Sequence, residues 1–360
     1  MSDLQISLLA IGALVVVAVY LYNWIQERRF RHHLRQAFGD TPDDVLLKSG
    51  LESVLAGGRL EPQFDSGAGQ ADDRSPVSGA ALRGSRPAPE FDPELEYVAE
   101  IDASAPIAEQ ALDELLSKTA TCGKPVHARG YDDGSGSWVD ISRGDGGRYS
   151  GLRLALQLVN RSGAVNVAQL SSFYDAVKGC ADRATAHAVC PDMQSALASA
   201  HDLDTFCSSV DIAIGFNIIA REGDTFAGVR IRALAESAGF KLEPDGVFHF
   251  FDDHRRTVFM LDNHEPAPFL PERIKTLSTH GITMLLDVPR VADGPKVLDR
   301  MHQIARGLAT TLGGRLVDDN RAVLSEKSME RIKEQLRSIH AAMEARGIPA
   351  GSARALRLFS

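Results

Sequence analysis

The sequence is poor in the residues that build metal sites, disulfide scaffolds and nucleic-acid surfaces. Its four cysteines, Cys122, Cys180, Cys190 and Cys207, form no C-x-x-C pair, and no histidine pair stands at a zinc-ligand spacing. The formal net charge is −9, whereas phosphate binding needs clustered Lys and Arg. We therefore predict reduced cysteines, no metal, no cofactor and no nucleic-acid partner.

Patterns that carry catalysis are also missing. GDGG at 144–147 lacks the Lys-Ser/Thr of a phosphate-binding loop. GYDDGSGSW at 130–138 lacks the spaced carboxylates of a calcium loop. The paired aspartates of LVDDN, Asp318 and Asp319, stand at the end of a predicted strand at 314–318, and adjacent side chains on a strand point to opposite faces. We find no nucleophile–base pair, so the sequence predicts a protein that is not an enzyme.

The N-terminal region has the pattern of a membrane anchor. Residues 4–25 contain no charged side chain, and about 20 apolar helical residues span a bilayer core of roughly 30 Å. Tyr20, Tyr22 and Trp24 gather at one end, and RRFRHHLR follows at 28–35. The positive-inside rule then predicts a single-pass anchor at 1–27 with a periplasmic N-terminus and a cytoplasmic C-terminal side. A cleaved signal peptide would carry its charges before the apolar run.

The next region, 28–93, continues from the basic flank into a stretch rich in Gly, Ser, Pro, Asp and Ala without apolar periodicity. Such a composition buries too little surface to offset the entropy of ordering, so we predict a flexible linker.

From residue 94 onward the chain has two halves that share the order of elements β-α-β-β-β-α-β-α, with one further short strand, at 240–242, in the second half. In the first half, 94–209, strands are predicted at 95–101, 125–131, 137–141, 151–159 and 184–189, and helices at 106–119, 166–183 and 191–207. In the second, 210–348, strands are predicted at 210–220, 240–242, 246–251, 257–261, 281–288 and 314–318, and helices at 227–238, 294–312 and 325–346. This order predicts a duplicated α+β fold of the split β-α-β, ferredoxin-like kind. Its antiparallel sheet would have helices on one face, and residues 349–360 would follow as a tail.

Four motifs of the second half carry a resemblance to a known family. They are AESAGF at 235–240, VFHFF at 247–251, FLPERIKTLSTHGITMLLDVPR at 269–290 and LGGRLVDDNRAVLS at 312–325. With them, residues 210–348 resemble the C-terminal domain of the ZipA family, membrane-anchored cell-division proteins that bind the tubulin-like FtsZ. The order of anchor, linker and domain also matches. The short linker and the extra first half depart from the best-known members.

Strand alternation predicts which side chains of the second half face away from the helices. Inward positions are Ile212, Ile214, Phe216, Ile218, Phe259, Leu261, Ile282, Met284, Leu286 and Val288. Outward positions are Ala213, Gly215, Asn217, Met260, Asp262, His264, Thr283, Leu285 and Asp287. An outward Leu285 has no evident packing reason, which makes it a binding candidate.

The resemblance implies a hydrophobic cleft on the open sheet face that takes the C-terminal tail of FtsZ. Asp245 and Val247 stand where the family's second strand contributes to that cleft, and Arg321 stands where the family carries an arginine bordering the peptide. The predicted partner-binding residues are therefore Ala213, Gly215, Asp245, Val247, Asp262, His264, Thr283, Leu285 and Arg321. The aspartates and His264 make this cleft more polar than the family's, and Arg321 could pair with a peptide carboxylate.

The expected function is a bacterial cell-division adaptor that tethers FtsZ polymers to the cytoplasmic face of the inner membrane at the division septum. The alternative is a membrane-tethered, non-enzymatic α+β module that binds another ligand or nucleic acid with its open sheet. An RNA-binding sheet needs exposed aromatic residues among basic ones, and the outward positions above show neither. A membrane-tethered enzyme would need a catalytic constellation that we do not find.

Overall fold

A computed structural model describes residues 91–360 of the protein. The predicted anchor at 1–27 and the predicted linker at 28–93, except for its last three residues, lie outside the described residues. Within 91–360, no helix combines the length and the apolar character that crossing a bilayer requires.

The first half contains a five-stranded antiparallel sheet with helices packed against it. Its strands are β1 (Glu96–Asp102), β2 (Val126–Asp132), β3 (Ser137–Asp140), β4 (Tyr149–Gln157) and β7 (His187–Val189), with a short hairpin of β5 (Val159–Asn160) and β6 (Gly163–Ala164). Its helices are α1 (Glu109–Thr119), α2 (Val167–Arg183) and α3 (Met193–Val210). The strand order in the sheet is β3-β2-β4-β1-β7.

The second half contains a six-stranded antiparallel sheet. Its strands are β8 (Ala213–Ile219), β10 (Lys241–Leu242), β11 (Phe248–Phe251), β12 (Thr257–Asn263), β14 (Gly281–Asp287) and β15 (Arg315–Val317), with a small pair of β9 (Phe226–Ala227) and β13 (Ser278–Thr279). Its helices are α4 (Gly228–Ser237), α5 (Gly294–Leu312), α6 (Glu326–Ala345) and α7 (Ala353–Leu358), and a 3-10 turn spans Val288–Arg290. The strand order is β10-β11-β12-β14-β8-β15.

The predicted α+β class with antiparallel sheets is confirmed. All strand pairs in both large sheets are antiparallel. Helix α5 has the predicted bounds because its end signals are strong: a proline stands in the first turn, and Gly313 ends the helix with a left-handed φ of +78°. Helix α1 begins three residues later than predicted, at Glu109.

The two sheets share part of their topology. In each, the first strand of the half lies between the last two strands of its sheet, as β4-β1-β7 and as β14-β8-β15. The two sheets differ in how the remaining hairpin joins the centre. In the first sheet the earlier strand of the hairpin, β2, pairs with β4, whereas in the second sheet the later strand, β12, pairs with β14. The two sheets thus agree in the order of three strands and differ in the order of the hairpin beside them. The duplication therefore stays a prediction.

Helix α2 begins at the predicted cap. The Asn166 side chain accepts a hydrogen bond from the Gln169 backbone N–H at 2.9 Å. The Gln169 side chain accepts one in return from the Asn166 backbone N–H at 3.0 Å. This reciprocal capping satisfies two donors that the first helical turn would otherwise leave unpaired.

Replacing Asn166 by alanine is expected to lower the free energy of unfolding by about 1 kcal/mol, because one helix-end donor loses its acceptor. Urea unfolding followed by circular dichroism measures the change. Val167→Ala is the neighbouring control, since the Val167 side chain is 60% exposed and its loss should cost less than about 0.5 kcal/mol. Equal effects of the two substitutions would show that the cap contributes nothing.

Each sheet buries one face beneath its helices. In the first half, Tyr97 on β1 meets Phe173 of α2 edge to face, with ring centroids 5.9 Å apart. In the second half, α5 places Leu298, Met301 and Ala305 in the core, all without exposed surface. The opposite face of each sheet is therefore the one that can meet a partner.

Helix α7 joins the two halves, in a region predicted only as a tail. It contacts strand β5 of the first half and the 3-10 turn at Val288–Arg290 of the second. Leu358 and Phe359 are each 1% exposed. On the first-half side, Arg357 Nη2 donates to Glu96 Oε1 at 2.5 Å, and Gln157 Nε2 donates to the Arg357 carbonyl at 2.8 Å. Both halves belong to one compact unit.

A second link runs through the β5–β6 hairpin. The Lys124 side chain is 6% exposed and donates hydrogen bonds to Asn160 Oδ1 at 2.5 Å and to the Gly163 carbonyl at 2.5 Å. These two bonds hold both strands of the hairpin against the first half. Burial lowers the pKa of this lysine. From the same hairpin, Arg161 reaches across to Asp211 and Asp287, each at 2.7 Å. The hairpin thereby connects the first half to the end of strand β14.

Candidate functional site

The second sheet has a face opposite helix α5, which we call the open face. It is formed by alternate side chains of the three central strands β12, β14 and β8. The inward set predicted for these strands is confirmed, since the side chains of Phe216, Ile218, Met284 and Leu286 have no exposed surface. The outward set is also confirmed, with one qualification: Asn217 points outward but is only 5% exposed because its neighbours cover it.

One row across the open face is apolar. The strand register places Met260 opposite Leu285 and Leu285 opposite Gly215. Met260 and Leu285 are half-buried, and Gly215 presents only backbone. A Cβ atom added to Gly215 would lie 3.4 Å from Asp319 Oδ1. The apolar row therefore ends at the backbone of Gly215, next to the carboxylate of Asp319.

The next row is polar and continuously hydrogen-bonded. Thr283 Oγ1 donates to Asn217 Oδ1 at 2.7 Å, and Asn217 Nδ2 donates to Asp319 Oδ1 at 2.8 Å. His264 Nδ1 lies 3.2 Å from Thr283 Oγ1 on the other side. Asp262 stands opposite Thr283 in the register. Because each hydrogen bond restricts the next side chain, this polar row is held in one arrangement beside the apolar row.

The side chains of Asp262 and Asp319 in the polar row are exposed at the surface, and the protein atoms beside their carboxyl groups raise the pKa of both. Burial raises the pKa of Asp262, and the nearby charge of Asp245 raises it further. Burial likewise raises the pKa of Asp319, helped by Asp318, while His264 acts in the opposite direction. Among the described residues, no lysine or arginine forms an ion pair with Asp262 or Asp319.

The predicted residues Asp245 and Val247 lie before strand β11 at the edge of the sheet. Asp245 accepts a hydrogen bond from the Val247 backbone N–H at 3.1 Å. Its other oxygen lies 2.9 Å from Nε2 of His249, whose partner in the register is Met260. Asp245 is thus connected to the open face through His249, a residue that the sequence analysis did not include. Its alternation with buried Phe248 was the available signal.

The predicted strand at 314–318 is shorter than expected, and the interpretation of its two aspartates was wrong. Strand β15 ends at Val317, and residues 318–321 form a turn closed by the Arg321 N–H and the Asp318 carbonyl at 3.0 Å. Arg321 is exposed at the end of this turn, with a left-handed φ of +61°. Asp319 therefore folds over Gly215 instead of alternating along a strand. The sequence D-D-N at this position is typical turn chemistry and could have indicated it.

At one end of the open face, the first half supplies a cation. Asp287 faces Ala213 in the register and receives the Arg161 guanidinium at 2.7 Å. Burial still outweighs this contact and raises the pKa of Asp287. Arg161 lies 126 residues away in sequence, so no local pattern indicates the contact.

The corresponding face of the first sheet has a different character. Tyr131 and Trp138 lie edge to face with ring centroids 5.6 Å apart, and Arg153 lies over the Trp138 ring at 5.7 Å. Arg153 pairs with Glu100 at 2.7 Å, and Arg129 pairs with Asp140 at 2.8 Å. Exposed aromatic residues and arginines are what an RNA-binding sheet uses, but here acidic neighbours neutralise the two arginines.

Comparison with known proteins gives one family match, and it covers this part of the chain. Residues 212–335 match the family described as ZipA, C-terminal FtsZ-binding domain. That range contains the whole open face, the turn at 318–321 and most of the helices that support them.

Two curated relatives each match about a third of the chain. The cell division protein ZipA of Marinobacter nauticus is 27% identical over 125 residues, which are 34% of this chain and 37% of the relative. The cell division protein ZipA of Shewanella loihica is 26% identical over 126 residues, which are 34% of this chain and 38% of the relative. The similarity therefore spans less than two fifths of either relative's length.

Proposed function

We propose that the chain is a ZipA-family protein through its C-terminal domain, and that it is a bacterial cell-division adaptor that binds the C-terminal tail of FtsZ on the open face. The observation that carries this proposal is the apolar row of Met260 and Leu285, set on an antiparallel sheet face within the matched residues. Exposed apolar side chains rimmed by polar ones are typical of interaction surfaces.

In this proposal the tail lies across strands β12, β14 and β8. The partner-binding residues are those predicted, Ala213, Gly215, Asp245, Val247, Asp262, His264, Thr283, Leu285 and Arg321, with Met260, His249 and Asp319 added by their places on the face. Apolar side chains of the tail would contact Met260 and Leu285, which is recognition of a short peptide by a groove.

The mechanism is tethering without bond chemistry. We propose that residues 4–25 cross the inner membrane once, with the N-terminus periplasmic and the described domain cytoplasmic at the septum. Many anchored copies would meet many tails of one FtsZ polymer, so weak single contacts add up through high effective concentration.

We also propose that the two halves of the described region arose by duplication. The shared central arrangement β4-β1-β7 and β14-β8-β15 supports it. The first half would then have kept the fold while its open face acquired the paired charges of Arg129, Asp140, Arg153 and Glu100.

The test is a titration of the full chain, in detergent micelles, with a fluorescein-labelled peptide of the FtsZ tail from the same organism. Leu285→Asp is expected to weaken binding at least about tenfold, or ~1.4 kcal/mol, because it puts a charge into the apolar row. Val229→Asp is the matched control, since Val229 is 53% exposed on helix α4 and should leave the affinity unchanged.

Each other outcome has a definite meaning. Binding that survives Leu285→Asp would move the site away from the open face. A folded wild-type chain that does not bind the tail peptide would end the proposal.

A further inference from the structure

The apolar row of the open face continues onto strand β11 through two stacked rings. Met260 lies opposite His249 of β11 in the strand register. The His249 ring is stacked on the Phe251 ring, with the ring centroids 5.9 Å apart and an angle of 17° between the ring planes. We call these two rings the ring pair. It adjoins Met260 and is therefore continuous with the surface proposed to bind the tail.

Phe251 lies on the open face although the register shifts after Phe250. The shift places Phe251 opposite Thr257, and the Thr257 Oγ1 atom lies 3.0 Å from Nδ1 of His249. Phe250 points the other way, since it is 9% exposed and stacks on Phe259 of the core at a centroid distance of 4.5 Å. Phe251 is half-buried, so part of its ring is open to a partner.

The His249 ring is held in place at both of its nitrogens. Besides the contact of Nδ1 with Thr257, Nε2 lies 2.9 Å from Oδ2 of Asp245. The His249 side chain is 15% exposed, which gives Phe251 a fixed support on one side. A surface that is ordered before binding loses little conformational entropy when a partner binds. The ring pair is therefore prepared to receive an apolar side chain.

The ring pair and Leu285 are far enough apart to contact two different side chains of a partner. Strand β12 separates β11 from β14, so these two strands lie two strand spacings, or about 10 Å, apart. About seven residues of helix or about three residues of extended chain cover this distance. One bound segment can therefore place one apolar side chain on Leu285 and another on the ring pair.

We infer that the ring pair is a second anchor site for the FtsZ tail, and that it takes a large apolar side chain other than the one that contacts Leu285. Phe251 supplies most of this contact. The inference rests on the proposed function and specifies the partner's chemistry: the tail carries two large apolar side chains on one face, about 10 Å apart. Aromatic side chains at an interface are often the places where its affinity is concentrated.

The test is a double-mutant cycle between the protein and the tail peptide. The full chain in detergent micelles is titrated with the labelled FtsZ tail peptide and with a set of peptides in which each large apolar residue in turn is replaced by alanine. The protein variants are Leu285→Ala and Phe251→Thr, which removes the ring and suits a strand. Phe206→Ala is the matched control, because Phe206 is a half-buried phenylalanine on helix α3 of the first half.

We expect Phe251→Thr to weaken binding of the native tail at least about fivefold, and Phe206→Ala to leave it unchanged. One alanine peptide should bind wild type more weakly and then show no further loss with Phe251→Thr, because both changes remove the same contact. A different alanine peptide should show this behaviour with Leu285→Ala.

Three results would overturn the inference while the proposed function stands. In the first, Leu285→Asp abolishes binding, but Phe251→Thr binds the native tail as tightly as wild type. In the second, Phe251→Thr and Leu285→Ala are coupled to the same residue of the tail, which means one anchor instead of two. In the third, Phe251→Thr causes the same loss with every alanine peptide, which means that the ring contacts none of the replaced side chains.

A folded wild-type chain that binds no tail peptide would end both the proposed function and this inference. Should circular dichroism show that Phe251→Thr does not fold, Phe251→Leu takes its place, since it keeps most of the volume and removes the aromatic ring. Its expected loss is at least about twofold, and the same couplings decide the question.

Discussion

Replacing Phe359 by alanine is expected to lower the free energy of unfolding by about 3–5 kcal/mol, which is the usual cost of truncating a buried phenylalanine. The Phe359 side chain is 1% exposed and follows helix α7, which contacts strand β5 and the 3-10 turn at Val288–Arg290. Arg161 lies over its ring at 5.9 Å. The substitution leaves a cavity at the junction of the halves, and the core cannot close it without moving one half.

Urea unfolding of the full chain, followed by fluorescence and circular dichroism together, measures this loss. Phe359→Leu is the matched control, since it keeps most of the volume and should cost less than about 1.5 kcal/mol. If the junction opens first, the two signals of Phe359→Ala will separate into two transitions. A Phe359→Ala variant as stable as Phe359→Leu would mean that α7 does not hold the halves together.

Replacing Arg161 by methionine is expected to cost roughly 2–3 kcal/mol, because it leaves Asp287 inside the protein without its cation. The Asp287 side chain is 18% exposed, and Arg161 gives it one bond at 2.7 Å. Asp211, the second partner, is 31% exposed and can turn to water, which keeps the cost below that of a fully buried pair.

The matched control also removes the negative charge of Asp287, which Arg161→Met leaves without a cation. The double variant Arg161→Met, Asp287→Asn should recover at least half of the lost stability, since an amide in that position needs no cation. Urea unfolding of both variants and of Asp287→Asn alone completes the cycle. A double variant as unstable as Arg161→Met alone would show that the loss arises from packing of the arginine and not from its charge.

The same pair predicts a pH dependence with a definite sign. Burial raises the pKa of Asp287 in the folded protein, and Arg161 opposes part of that rise. Without Arg161 the folded-state pKa lies further above the unfolded value, so the fold favours the protonated acid. That contribution is present at low pH and is lost as the pH rises through the folded-state pKa. The stability deficit of Arg161→Met should therefore shrink as the pH is lowered toward about 4, the ordinary pKa of an Asp carboxyl.

Local sequence patterns were sufficient to predict the strands that form the open face and the ends of two helices. Alternation assigned the faces of β8, β12 and β14 correctly, because on a sheet with one covered face a shift by one residue would bury the wrong set of side chains. The end of helix α5 at Gly313 and the start of helix α2 at Asn166 were also predicted correctly. Each of these helix ends depends only on hydrogen bonds within one helical turn.

Contacts between distant residues escaped those patterns. Asp319 was interpreted as a strand residue, whereas a turn brings it within 2.8 Å of Asn217, 102 residues away. The sequence analysis assigned no role to Arg161, and it predicted residues 349–360 only as a tail. Each acquires its role only when two segments far apart in sequence pack together.

By itself, the sequence determined the α+β class, most strands and helices of the two large sheets, the outward side chains of the second sheet and the family resemblance, because these depend on periodicity and motifs within single segments. Only the tertiary structure decided the strand order, the closing role of α7 and which acids of the open face have a cation. Those features depend on which distant surfaces meet, and the free energy of such contacts comes from the burial and charge of both sides at once.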